Sequence, residues 1–380
     1  MKKITLLVFI SASFLLSLNA QNTGNTVVKN SFKPGEIWTD NNGVHINAHG
    51  GGILIHDDVY YWFGEHKTDG RTGNTALVGV HVYSSTDLYN WKDEGVALSV
   101  SEDPNSDITK GCVIERPKVI YNKKTNKFVM WFHLELKGRG YGGALVGIAQ
   151  ADKVTGPYTY IRMTRGNPQT WPVNVLDLHK LPVPDSLMRE RDNLRAGEHP
   201  DSVNTLGRDF EKGQHSRDMT LFADDDGKAY HIRSAESNSV VHISELTDDY
   251  LDFSGKYVRA FVGRKMEAHA IFKKDGLYYY MGSGTTGWAP NPARSAVAPS
   301  IWGPWTELGN PCPGEGAATT HESQSTFIFP VLGKKNAFIY MGDRWRPENA
   351  IDGRYVWLPV DFEDNKFKIR WQDEWTLKHF

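Results

Sequence analysis

One hairpin, written five times, constrains this chain more than any other feature. Each copy runs from a polar residue through an apolar strand, a tight turn and an aromatic-rich strand into small or polar residues. The copies start at His49 (HGGGILIHDDVYYWFGE), Glu115 (ERPKVIYNKKTNKFVMWFH), Asp218 (DMTLFADDDGKAYHIRSA), Glu267 (EAHAIFKKDGLYYYMGSG) and Gln324 (QSTFIFPVLGKKNAFIYMGD). Their turns, Asp-Asp, Lys-Lys-Thr-Asn, Asp-Asp-Gly, Lys-Asp-Gly and Gly-Lys-Lys, are hairpin chemistry. Behind each copy lies a further strand pattern, from VGVHVYSSTDLYNW in the first to RYVWLPVDF in the fifth, and FKIRWQDEW adds a last strand. Five like units of three or four antiparallel strands suit radial repetition, which leaves only short edges. The expected fold is all-β, a five-bladed β-propeller filling residues from about 27 to 380. A β-sandwich would explain the strands but not the fivefold recurrence.

Composition agrees and removes several classes. The 12 Trp, 16 Tyr and 17 Phe spread along the chain want burial, which argues against extended disorder. Lys plus Arg (43) nearly balances Asp plus Glu (45), so there is no basic field for nucleic acid. Residues 1–20 read as a signal peptide: Lys2 and Lys3, an apolar run from Ile4 to Leu18, and Ala20 at the cleavage point. That run falls short of the about 20 residues a bilayer span needs. The expectation is an exported chain, periplasmic or secreted, with a mature domain of residues 21–380 and no membrane insertion. Cys112 and Cys312 are two hundred residues apart and read as buried thiols, with a disulfide as the alternative.

Repeat phase supplies the functional argument. His49, Glu115, Asp218, Glu267 and Gln324 each precede the first apolar strand of a unit, and innermost propeller strands converge on the axis. These five side chains are expected at one end of the central channel. Between the second and third units, residues 166–217 form a long charged insertion with little strand pattern, the kind of segment that serves as a lid or binding loop. Ser186 to Leu194 could form a short helix within it, capped by Asp185 or Ser186.

The motifs INAHGGGIL, YYWFGE, IERPKVIYN, SRDMTLF, MEAHAIF, SGTTGW and SQST together resemble glycoside hydrolase family 43, and within it the exo-β-1,3-galactanase branch. The resemblance covers residues 41 to about 345. It implies a five-bladed propeller that hydrolyses glycosides with inversion and trims galactose from the β-1,3-galactan backbone of arabinogalactan. By position, Glu267 matches the family's general acid, Asp218 the carboxylate that tunes it, and Glu115 an acid that contacts galactose. Gln324 stands where other members carry an Asp base. The first-blade Asp used elsewhere in the family is absent, its place taken by His49 and Gly50.

Inverting hydrolysis needs a protonated acid at the leaving oxygen and a base holding water on the opposite ring face, carboxyls about 6.5–9.5 Å apart. A neighbouring Asp218 would keep Glu267 protonated by like-charge repulsion. An amide is a poor base, so Gln324 is expected to position water, or to act as its imidic acid tautomer with help from Glu115. Trp288 and Trp345 either stack on sugar or fill core; with His49, Arg116 and Arg217 they complete the substrate-binding candidates. His321 is a possible ion ligand near Gln324, although a hydrogen-bonded core histidine is the plainer reading. No cofactor is required and a structural calcium is possible. Asp224 to Asp226 lack the spacing of a calcium loop and read as a hairpin tip. Two alternatives stand beside the galactanase reading: an α-L-arabinofuranosidase or β-galactofuranosidase of the same family, and a catalytically dead glycan-binding propeller.

Overall fold

A computed structural model of the chain describes residues 28–183, 194–195 and 197–380. Among the described residues, twenty strands form five four-stranded antiparallel sheets, each ordered as it occurs along the chain. The first sheet is β1 (His49–His56), β2 (Val59–His66), β3 (Gly79–Ser85) and β4 (Lys92–Ser99). The others run from β5 (Val113–Asn122) to β8 (Thr159–Thr164), β9 (Met219–Ala223) to β12 (Phe253–Ala260), β13 (Glu267–Lys274) to β16 (Thr306–Gly309), and β17 (Gln324–Pro330) to β20 (Lys366–Ile369). Inner strands β1, β5, β9, β13 and β17 touch one another in that order, and β17 returns to β1. The ring is a five-bladed β-propeller, and the sandwich alternative is excluded.

Turn chemistry explains the register. Asp57 and Asp58 both take left-handed φ (49° and 59°), the two-residue geometry that matches strand twist, and so set His56 opposite Val59. Asp275-Gly276 does the same between Lys274 and Leu277. Apolar side chains on the blade faces then pack between neighbouring blades. Phe63, Val82, Met130 and Phe132 fill the gap between the first and second, and Trp131, Ile148 and Leu221 that between the second and third. A larger cluster with Trp38, Trp62, Trp91, Tyr355 and Trp357 joins the fifth blade to the first. The seam is closed by the segments before the first strand and after the last: Phe32 and Trp375 exchange backbone hydrogen bonds of 2.8 and 3.1 Å, and their rings stack at 4.3 Å.

Four inner hairpins break register at the same place, at the channel end of the first strand. The slips lie between His49 and Gly52, Glu115 and Lys118, Glu267 and Ala270, and Ser325 and Phe327. In three of them the residue after the repeat-phase position is left-handed: Gly50, Arg116 and Ala268, at φ 59°, 54° and 58°. Such bulges bend a strand and re-aim its end residue. Gly50 has a further reason to lack a side chain, because a Cβ there would lie 2.1 Å from Glu65 Oε1.

The long insertion is not free of the propeller. Gly166 and Gln214 bridge its base, Trp171 stacks on Phe210 at 4.1 Å, and Val173 N–H donates to the Tyr257 carbonyl of β12 at 2.8 Å. The described part thus lies along the third blade, and includes a one-turn helix, Thr205–Arg208. The expected helix at Ser186 to Leu194 falls, but for Leu194, outside the described residues, as does the signal segment. Cys112 and Cys312 are both buried free thiols, pushed up to about 12 by burial. Among the described residues, no helix is long and apolar enough to cross a membrane.

Candidate active site

The bulged strand ends converge on a cavity of about 230 Å³, lined by Glu65, Lys67, Glu115, Arg116, Tyr141, Asp218, Glu267, Gly287, Trp288, Gln324 and Trp345. Four of the five repeat-phase residues therefore share one pocket. A second cavity of about 370 Å³ adjoins it at Glu267 and Gly287, with Leu194, Arg217, Ser237, Asn238, Lys265 and Thr285 on its walls. At the far end of the channel the inner strands enclose an apolar cavity of about 360 Å³. Arg116 lines the first of these and Lys118 the last. Both side chains are buried, and Lys118 Nζ donates to the Gly50 and Arg116 carbonyls (2.9 and 3.3 Å) of the two bulges.

Arg116 is the hub. Its guanidinium donates to Gln324 Oε1 at 2.7 Å, to Asp218 Oδ2 at 2.9 Å and to the Ser325 carbonyl at 2.9 Å, and lies over the Trp345 ring. Asp218 also accepts from Ala268 N–H at 2.9 Å, the left-handed residue after Glu267. These bonds bring the Asp218 carboxylate beside the Glu267 carboxyl. Burial, and then the charge of Asp218, pushes Glu267 up to about 8 against the opposing pull of Arg116 and Arg217. Glu267 is thus protonated at neutral pH, and its Oε1 accepts a 3.0 Å hydrogen bond from Asn238.

Glu115 has the opposite character. Burial raises it, but His133, Lys67 and Asn74 outweigh burial and hold its carboxyl well below the usual carboxylate range. His133 donates to Glu115 at 2.9 Å from Nδ1 and to Glu135 at 3.0 Å from Nε2, so both ring nitrogens carry protons. Although burial opposes it, that pair of carboxylates lifts His133 to about 9. Tyr141 and Asn74 donate to the other Glu115 oxygen at 2.5 and 2.8 Å.

Gln324 is nearly saturated. Its Oε1 accepts from Arg116 and from Trp345 Nε1 at 2.8 Å, while its Nε2 donates to Ser283 at 3.0 Å. Two donors on Oε1 occupy the lone pairs and leave no place for the proton that an imidic acid tautomer puts on oxygen. One N–H remains to be offered to a ligand or water.

One expectation needs correction. His49 does not line the pocket: its side chain is wholly buried, stacked on Tyr355 at 5.3 Å and packed on Gly353. The pocket wall at this blade comes from the second strand, through Glu65 opposite His49 and Lys67 just beyond. His321 is the hydrogen-bonded core histidine of the plainer reading. It is buried, its Nε2–H donates to the Ile369 carbonyl at 2.9 Å, and burial lowers its basicity. Among the described residues no group of three or more His, Cys, Asp or Glu side chains is arranged to hold a metal ion. Asp224 does stand at a hairpin tip, where it accepts from Lys273 at 2.6 Å and from Tyr278.

The remaining candidates sit at the rim. Trp288 is 42% exposed and meets Trp345 edge-on at 5.4 Å, with the Lys67 ammonium over both rings. Arg217 lines the adjoining cavity and donates to the Tyr141 carbonyl at 2.8 Å. Sequence reasoning missed Glu65, Lys67, Asn74, His133 and Tyr141. Glu65 was within reach, because hairpin pairing sets it opposite His49.

A neutral carboxylic acid and an ionised one facing a single sugar-sized cavity, rimmed by indoles on a five-bladed ring, is the arrangement of a glycoside hydrolase. Comparison with solved structures gives the family. A family 43 β-1,3-galactosidase solved with galactodeoxynojirimycin is 50% identical, with a TM-score of 0.86 over 91% of this chain and 100% of that one. The exo-β-1,3-galactanase of Phanerochaete chrysosporium, solved with galactose, is 33% identical (TM-score 0.73, 92% of this chain, 68% of that one). That of Clostridium thermocellum is 35% identical (TM-score 0.73, 90% and 66%). No protein-family profile and no curated protein matches the sequence. At these identities and coverages, the chain belongs to glycoside hydrolase family 43.

Proposed function

We propose that this glycoside hydrolase is exported and removes galactose from the ends of β-1,3-linked galactan, with inversion and with Glu267 as general acid. The observation that carries the reading is the pairing of Glu267 with Asp218 in the pocket: a buried carboxyl kept protonated to about pH 8, next to ionised Glu115 and the Arg116–Gln324 pair. Asp218 tunes the acid. Glu115, held ionised, accepts from a sugar hydroxyl, and Trp288 and Trp345 offer apolar faces to the ring. Gln324 offers its remaining N–H to a sugar hydroxyl or a water in the pocket. The relatives solved with galactose and with galactodeoxynojirimycin support galactose as the sugar in the pocket. Lys2, Lys3 and the apolar run that follows support export.

The test is Glu267→Gln, assayed on unactivated β-1,3-galactan and on an aryl galactoside with a good leaving group. Positioned acid catalysis contributes about 10²–10⁴-fold. Release of galactose from galactan should fall by that order, and aryl hydrolysis by much less. A variant cleaving galactan at the parent rate refutes the assignment. Arabinan or galactofuranosyl substrates cut faster than galactan would move the specificity to a furanoside.

A further inference from the structure

The β10 (Ala229–Ala235) to β11 (Val240–Leu246) connection is built in a way that ordinary hairpin closure does not require. Glu236, Ser237 and Asn238 are consecutively left-handed, at φ 49°, 58° and 59°, a run that side-chain-bearing residues avoid. What holds the run is Glu236, whose side chain is wholly buried. Its carboxylate accepts from Arg259 Nε (2.6 Å) and Nη2 (2.9 Å), from His242 Nε2 (2.9 Å) and from Thr205 Oγ1 (2.9 Å). Arg259 is in turn gripped by the long insertion. Its Nη2 donates to Asp201 at 2.5 Å, its backbone N–H to Asn174 Oδ1 at 3.0 Å, and its carbonyl accepts from Asn174 Nδ2 at 2.8 Å. Asp201 also accepts from His179 at 3.0 Å. None of Asn174, His179, Asp201, Thr205, Glu236 and Arg259 lines the pocket.

Two residues along the same connection, Asn238 Nδ2 donates to Glu267 Oε1 at 3.0 Å. The carbonyl oxygen of a protonated carboxyl is its better acceptor, so this N–H favours Oε1 as the carbonyl and Oε2 as the seat of the acid's proton. We infer that the insertion, acting through Asp201, Arg259 and Glu236, is a brace that holds Asn238 against Glu267 and so decides which carboxyl oxygen carries the proton to the leaving group. Asn238 is a positioning residue in this scheme. The inference rests on Glu267 being the general acid. The other groups facing Glu267 are Asp218, Arg116, Arg217 and Glu115, with Lys265 on the adjoining wall, and none belongs to the brace.

The experiment compares Asn238→Ala and Asp201→Asn with the parent, by pH–rate profile on a β-1,3-galactooligosaccharide and on an aryl galactoside with a good leaving group. Asn238→Ala should lower kcat on the oligosaccharide about tenfold or more through misplacement of the acid, with a smaller change in KM. The lost donor favoured the ionised carboxyl, so the basic limb of the profile should move to higher pH. The aryl substrate should suffer less. Asp201→Asn keeps the shape and weakens the grip on Arg259, so it should shift kcat and the basic limb in the same directions by less. Should Asp201→Asn fold poorly, Thr205→Val removes a single bond from the brace and serves instead. A purely structural connection would leave the basic limb where it was. An unmoved limb with unchanged kcat in Asn238→Ala, while Glu267→Gln is inactive on the oligosaccharide, overturns the brace and leaves the acid assignment standing. A Glu267→Gln variant with parent activity overturns both.

Discussion

Keeping Glu267 protonated has a thermodynamic cost that a stability measurement can read without any substrate. The ordinary glutamate value is 4.5, and burial with Asp218 raises it to about 8 in the folded chain. A carboxyl whose folded value is raised costs nothing below about pH 4.5, where both states hold the proton. The penalty grows as pH rises, because the unfolded chain ionises freely and the folded chain does not, and it levels off above about pH 8. At 1.36 kcal/mol per unit the plateau is on the order of 5 kcal/mol, a large fraction of a typical 5–15 kcal/mol. Glu267→Gln removes the ionisation while keeping an oxygen for Asn238. Thermal unfolding followed by circular dichroism from pH 4.5 to 9 should show the variant level with the parent at the acid end. It should be more stable by about 6 °C at the alkaline end, given an unfolding entropy near 2.1 cal/mol/K per residue. A Tm difference that does not change with pH, or a variant less stable than the parent at pH 8.5, refutes the argument that burial and Asp218 hold this group neutral.

His133 should give the opposite window. Its folded value is raised from 6.5 to about 9, so its charge contributes on the order of 3 kcal/mol that is fully present below pH 6.5 and lost as pH rises through 9. In urea titrations His133→Gln should therefore be most destabilised near pH 6, the gap closing above pH 9. Gly50→Ala forces a left-handed alanine, about 1–2 kcal/mol by itself, and drives Glu65 out of its bonds to Lys67 and Arg116 N–H. Denaturation together with kcat/KM should show loss in both.

What could be read from the sequence was whatever repeats. Turn pairs such as Asp57-Asp58 and Asp275-Gly276 carry their own geometry, and the polar residue before each apolar strand keeps its phase, which is why Glu115, Asp218, Glu267 and Gln324 could be brought together in advance. His49 kept the phase and still faced away, because Tyr355 and Gly353 from the fifth blade offer its ring a buried slot and Glu65 takes the pocket wall. Phase gives a position along the axis and not which of two paired residues turns inward. Asn74 and Tyr141 come from loops with no period at all. The Asp201–Arg259–Glu236 brace joins positions up to 58 residues apart through side chains alone, and no local pattern announces it.

The hub of the ring is sealed beneath the pocket, where Arg116 and Lys118 fill the axis and tie the bulges of two blades together. A sugar that enters can only back out by the face through which it came. Among the described residues the axis gives no open tunnel through which a polysaccharide could be threaded and ratcheted forward. On the end-trimming reading proposed above, the freed unit and the shortened polymer leave by the same face of the ring after each cut. On that same reading, turnover on a long chain is then a series of separate visits, and its rate should follow the number of chain ends in solution rather than the mass of polymer.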